Sequence, residues 1–227
     1  LGYDENVRLA ALRRGKVKKV FENQLRPLQQ AIELNPDHPD AHYRIGLAYE
    51  RLLEDFESAL PFFFRQASIN SDHTDALTHL SRACIATQQY QYGSDLFGRL
   101  AERHGESAHP LVRGLNAQLE AYYYHDRRQE TRAFKAYETF LDVMKTHEPE
   151  TFTRYRDLSL VADNKVVEQY EQLAGANKEE LWRQFWAVRD PDPTTPINER
   201  LAEHYRRIMF ALQNFSKGQQ PWDTRGD

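Results

Sequence analysis

Asn35-Pro36-Asp37-His38-Pro39-Asp40-Ala41 returns further along the chain as Asn70-Ser71-Asp72-His73-Thr74-Asp75-Ala76. The offset is 35 residues, from Asn35 to Asn70. A period of that size marks stacked helical hairpins, each too small to bury its own apolar face. The reading is therefore all-α: a right-handed superhelical stack of antiparallel helical hairpins, followed by a helical C-terminal region. Stacks of this kind present a groove, so the expectation is a binding scaffold and not an enzyme.

The residues between the echoes carry helical spacing. Ile45, Ala48 (or Tyr49) and Leu52 form the inner stripe of one helix, and Phe56, Ala59, Leu60, Phe63, Ala67 and Ile69 that of its return partner. Gly46 supplies a small residue where the two must approach closely. Pro61 is a defect tolerated only near the start of a helix. The next copy reads Leu77, Leu80, Ala83, Cys84, then Tyr90, Leu96, Phe97 and Leu100, with Gly93 at a tight position. Leu111, Leu115, Leu119 and Tyr122, then Ala133, Tyr137, Phe140 (or Leu141) and Met144, make one more hairpin over 109–146 whose register the spacing leaves open.

This pattern resembles the tetratricopeptide repeat family, a TPR-like α-solenoid. Ile45, Gly46, Tyr49, Ala59 and Phe63 match its signature in the first full copy, and Leu77, Leu80, Tyr90 and Phe97 in the second. Leu28, Ala31, Leu34 and Pro36 resemble the end of a preceding copy. His42, Ser81 and Ser71 depart from the signature, and one residue beyond the usual length of about 34 falls near Leu53 to Asp55. The resemblance implies protein or peptide partners held on the first helix of each hairpin. Transferred by register, that face carries Tyr43, Arg44, Leu47, Glu50 and Arg51 with Asp40, then Thr78, His79 and Arg82 with Asp75 and Ile85. Arginine and tyrosine are effective interface anchors, and the mixture suits a segment of some acidic character. Tyr43 and Leu47 stand where Lys and Asn would be needed to clamp a chaperone's carboxylate tail.

The C-terminal region is a different kind of sequence. Leu181, Trp182, Phe185 and Trp186 cluster on a short helix. Arg189-Asp190-Pro191-Asp192-Pro193-Thr194-Thr195-Pro196 then forms a stiff loop, with Thr195 expected to cap a helix bearing Ile197, Leu201, Tyr205, Ile208, Leu212 and Phe215. Together with Asn198-Glu199, Tyr205-Arg206-Arg207 and Trp222-Asp223-Thr224-Arg225-Gly226, this region resembles the bacterial family named for a Gly-Trp-x-Thr-Asp motif (GWxTD). Pro221 replaces that glycine, and no Asp follows Thr224. The resemblance implies an exported, cell-envelope setting and a strand-rich continuation. With Leu1 in place of an initiating Met and the end at Asp227, the expectation is a chain incomplete at both ends. The domain reading is 1–147 as TPR-like repeats (clearest copies 36–70 and 71–105), 148–177 as a helical connector, and 178–227 as the helical start of a GWxTD-like domain.

Composition narrows the function classes. A formal charge of −4 and a pI near 6.2 argue against general nucleic-acid binding. No stretch approaches the roughly 18 apolar residues of a membrane span. Cys84 is the sole cysteine, on an apolar stripe, and reads as core rather than nucleophile. The histidines lack the convergence of a zinc site; His38 and His73 instead sit at equivalent helix starts, where a polar side chain satisfies free amides. No metal and no cofactor is expected. Tyr122-Tyr123-Tyr124 cannot share one helix face, so part of the run is exposed to a partner. In the loop, Arg189 or Arg206 pairing with Asp190, Asp192 or Glu199 would clamp two helices together. The rival is a ligand-binding or hydrolytic site there, because paired carboxylates can do acid–base work. The combined expectation is an accessory or assembly subunit of a larger complex.

Overall fold

The computed structural model describes the backbone of residues 2–215 and the side chains of 15–211. Leu212, Phe215 and the Trp222–Gly226 motif have side chains outside that range. Among the described residues there are eleven α-helices, one 3-10 turn and no strand. The chain forms two compact units that divide between Leu119 and Glu120.

The first unit contains α1 (Gly2–Leu34), α2 (Ala41–Leu53), α3 (Phe56–Ile69), α4 (Thr74–Ala86) and α5 (Tyr90–His104). A 3-10 turn at Gly105–Ser107 leads into α6 (Pro110–Asp126), within which the boundary falls. Helices α2 and α3 make one hairpin, α4 and α5 the next. Of the stripes the spacing predicts, Ile45, Ala59, Phe63, Leu77, Leu80, Phe97 and Leu100 are buried, while Leu52, Phe56 and Ile69 are half-buried. Leu34, matched to the end of a preceding copy, is 89 % exposed at the end of α1.

The 35-residue echo is the joint between hairpins. Asn35 Oδ1 accepts the Asp37 amide at 3.1 Å, and Asn70 Oδ1 accepts the Asp72 amide at 2.9 Å, so both asparagines turn the chain by the same local bond. His38 Nδ1 then accepts the amides of Asp40 (3.2 Å) and Ala41 (3.1 Å) at the start of α2. His73 Nδ1 accepts the Ala76 amide at 3.3 Å as the N-cap of α4. These histidines satisfy helix-start donors, as their sequence positions suggest. A third joint uses His109, whose Nδ1 accepts the Leu111 amide at 3.2 Å at the start of α6.

Two glycines mark close approaches. A Cβ on Gly46 would lie 2.5 Å from the Phe63 ring, and one on Gly93 would lie 2.8 Å from Cys84 Sγ. Ser81 takes the equivalent place to Gly46 one period later. It is buried, and its hydroxyl donates to Gln118 Oε1 at 3.0 Å, tying α4 to α6.

The second unit holds α7 (Glu130–His147), α8 (Pro149–Tyr155), α9 (Asn164–Gln172), α10 (Gly175–Ala187) and α11 (Glu199–Phe215). Its core is aromatic: Tyr155 packs edge-on against Phe140 with ring centroids 5.5 Å apart, Tyr137 against Tyr205 at 5.6 Å, and Trp182 against Trp186 at 5.6 Å. Of the tyrosine run, Tyr122 is buried in this core, while Tyr123 and Tyr124 are half-buried; the Arg127 guanidinium lies 3.6 Å from the centre of the Tyr123 ring.

One expectation fails at the start of α11. The helix begins at Glu199, and its capping side chain is Asn198, whose Oδ1 accepts the Leu201 amide at 2.9 Å. Thr195 points its hydroxyl elsewhere, towards the Ile197 carbonyl (2.8 Å) and Glu199 Oε1 (2.5 Å). Three residues, Pro196, Ile197 and Asn198, separate Thr195 from the helix start and put the first free amides beyond its reach.

Candidate functional site

The first candidate site is built from first-helix residues whose neighbours come from distant sequence. On the α2–α4 face of the first unit, Tyr43 is the hinge of the arrangement. Its amide donates to Gln66 Oε1 at 3.3 Å, while Gln66 Nε2 donates to the Pro39 carbonyl at 2.8 Å, so a fully buried glutamine of α3 latches the start of α2. The Tyr43 ring lies 4.6 Å from that of His73 and 5.7 Å from that of His79, both on or beside α4. Burial, and then the charge of Asp75, push its phenol above the ordinary value, so the hydroxyl stays a donor.

Glu50 corrects the expected groove. Its side chain is only 3 % exposed, with Oε2 2.8 Å from His79 Nδ1 and Oε1 3.2 Å from Arg82 Nη1. A carboxylate this buried is stable only because two cationic or donor groups satisfy both its oxygens. Glu50 therefore joins α2 to α4 and is not offered to a partner. Arg82 also lies 6.0 Å from the centre of the Phe56 ring.

The rest of the face is more open. Arg44, Arg51 and Thr78 are exposed, and Leu47, Tyr43, His79 and Arg82 are half-buried beneath them. Arg44 pairs with Asp40 one turn earlier, and Asp40 Oδ1 also faces His73 Nε2 at 3.5 Å. Arg51 has no ion pair among the described residues. The face thus consists of an interlocked floor that includes half-buried Leu47, with one uncommitted guanidinium, that of Arg51, exposed above it.

The loop after α10 is organised differently from the expected clamp. Arg189 Nη1 donates to the Phe185 carbonyl at 2.9 Å and its guanidinium lies 3.6 Å from the centre of the Phe185 ring. Arg206 pairs with Glu203 on its own helix, at 2.6 Å from Nη2 to Oε1. Asp190 Oδ1 accepts the Asp192 amide (3.2 Å), and Asp192 Oδ1 accepts the Thr194 amide (3.1 Å) and hydroxyl (2.6 Å). Each charged group has a nearer partner within its own turn than across the loop, so the ion-paired clamp does not form. The Thr194 hydroxyl, and then its amide, hold the Asp192 carboxyl below the usual range. The tie between α10 and α11 is instead Asn198, whose Nδ2 donates to the Trp186 carbonyl at 2.7 Å while Oδ1 caps α11. An Asn in a proline-dense loop, directly before an acidic helix start, was the available signal for it.

Cys84 is fully buried, and burial pushes its thiol up to about 12, far from any nucleophilic role near neutral pH. Among the described residues no group of three or more His, Cys, Asp or Glu is placed to hold a metal ion. No described helix is long and apolar enough to cross a membrane.

Comparison with known families gives one match. The family model described as TPR repeat matches residues 25–52, which span the end of α1, the Asn35–Asp40 joint and nearly all of α2. No curated protein and no solved structure matches the chain. TPR repeats generally mediate protein–protein interaction.

Proposed function

We propose that this chain is a non-catalytic protein-interaction subunit that holds an extended segment of a protein partner on the α2–α4 face. Tyr43, Arg44, Leu47, Arg51, Thr78, His79 and Arg82 form that surface, with Glu50 as its internal tie. The observation that carries the reading is Arg51 beside Leu47: an unpaired cation next to an apolar side chain on a rigid floor. Such a floor loses little freedom on binding, which favours affinity from few contacts. The matching partner segment carries an acidic residue for Arg51 and an apolar one for Leu47.

The domain reading of repeats over 1–147, a connector over 148–177 and a GWxTD-like region from 178 remains part of this proposal. So does the role as an accessory or assembly subunit of a cell-envelope complex. Carboxylates at the Arg189–Asp192 loop are engaged in turns, which supports a non-catalytic reading over a hydrolytic one.

The test is photo-crosslinking in the source cells, with the crosslinking side chain placed at exposed Thr78 on the face or, as a control, at exposed Arg99 on α5. One partner segment should be captured from position 78 and not from 99, and Arg44→Glu with Arg51→Glu should abolish that capture. Arg82 is left intact because reversing it would strand buried Glu50. Equal capture from both positions, or capture that survives the double reversal, overturns the proposal.

A further inference from the structure

The second unit contains a recess of its own. Arg189, just after α10, and Arg200 and Arg207, two turns apart on α11, line a cleft of about 440 Å³. Glu203 is the only carboxylate in the lining, and its oxygens already accept from Arg206 (2.6 Å) and Arg207 (2.7 Å). Arg189 is braced on the Phe185 ring and carbonyl, which fixes its guanidinium while leaving donors uncommitted. Arg200 is exposed and makes no ion pair among the described residues. The cleft therefore has an excess of positive charge, part of it held in place.

Two further features point to a ligand. Trp186, part of the wall, is 5 % exposed, yet its buried Nε1–H has no hydrogen-bond partner. Buried donors are rarely left so, and each such group calls for an explanation. Beside it stands the His204 ring, at a centroid distance of 4.9 Å, with Nε2 donating to the Tyr155 carbonyl at 3.1 Å. The wall also has an apolar, partly open side chain: Val161 lines the cleft at 40 % exposure.

We propose that this cleft is a second docking site, independent of the α2–α4 face, which takes an acidic peptide segment of a protein partner with apolar residues beside its carboxylates. Arginines in planar, braced geometry suit carboxylate oxygens. The apolar Val161 in the wall favours a peptide over a free phosphate, which would satisfy the guanidinium groups and leave that side chain uncovered.

The test is a titration of the ¹⁵N-labelled full chain, read at the tryptophan indole signals. The probes are acetyl-Leu-Asp-Leu-Asp-amide, its Asn-for-Asp analogue, and inorganic phosphate. The acidic peptide should shift the Trp186 indole signal saturably, at least about tenfold more tightly than either control, the scale of one charge-assisted hydrogen bond. Arg200→Gln, at an exposed position that cannot unfold the unit, should weaken that binding by about tenfold as well. Equal binding of phosphate identifies a free-anion site, and equal binding of the Asn peptide identifies an apolar patch; either overturns the proposal. Absence of any Trp186 shift overturns it too, whatever the result at the first site.

Discussion

Gly46 shows how directly a single residue can be read. The sequence places it where α2 must meet α3, and a Cβ there would enter the Phe63 ring. Gly46→Ala should lower stability by about 1–3 kcal/mol, as overpacking of a close contact does, despite the better helix propensity of alanine. Urea unfolding followed by circular dichroism measures this, and an unchanged or raised midpoint would show that the ring moves aside at no cost. Glu50 was less legible. At one position of a helical stripe, an exposed glutamate and a buried one look alike; the difference lies in His79 and Arg82, 29 and 32 residues further on. Asn198 was hidden for the same reason, since half of its role depends on the Trp186 carbonyl.

Each hairpin closes by the same device. Glu54, Gln88 and Arg128 all have φ of 54 to 56°, a left-handed conformation that side chains resist. The residue after each one donates its amide five or six positions back: Asp55 to Tyr49, Gln89 to Cys84, Gln129 to Tyr124. These turns fall at 54, 88 and 128, so the turn recurs although its residues do not. The Asn/His joints repeat in sequence, whereas these turns repeat only in backbone conformation. A glycine should relieve the strain. Gln88→Gly is expected to stabilise the chain by about 0.5–1 kcal/mol, the gain in turn geometry outweighing the added freedom of the unfolded chain. The same urea titration applies, and a lowered midpoint would mean that the Gln88 side chain contributes more than its backbone costs.

At the scale of the whole chain, the helical class was readable throughout because period and composition agree. The second unit's arrangement was not, since its aromatic core draws on helices that share no repeat. Its response to acid follows from two groups. His204 has its imidazole lowered from the ordinary 6.5, first by burial, and Glu203 is held down to about 2, first by Arg206. In both cases the folded chain binds fewer protons than the unfolded one, so stability falls as pH falls. The His204 part is present above about 6.5 and lost as pH falls below it; the Glu203 part is present above 4.5 and lost towards about 2. Tryptophan emission in urea should therefore show a falling midpoint from about pH 7.5 to about pH 5.5, and His204→Gln should flatten that leg. A midpoint independent of pH would contradict the assignment.

The burial of Cys84 gives the molecule an internal clock. All three tryptophans lie at 182 or beyond, and the sole thiol lies at 84. With Cys84 sealed between Gly93 and the neighbouring helices, a thiol reagent reaches it only when that part of the chain opens. The labelling rate of one sulfur thus times the opening of the first unit, while indole emission follows the second. The two halves of one unmodified chain are separately observable in a single cuvette.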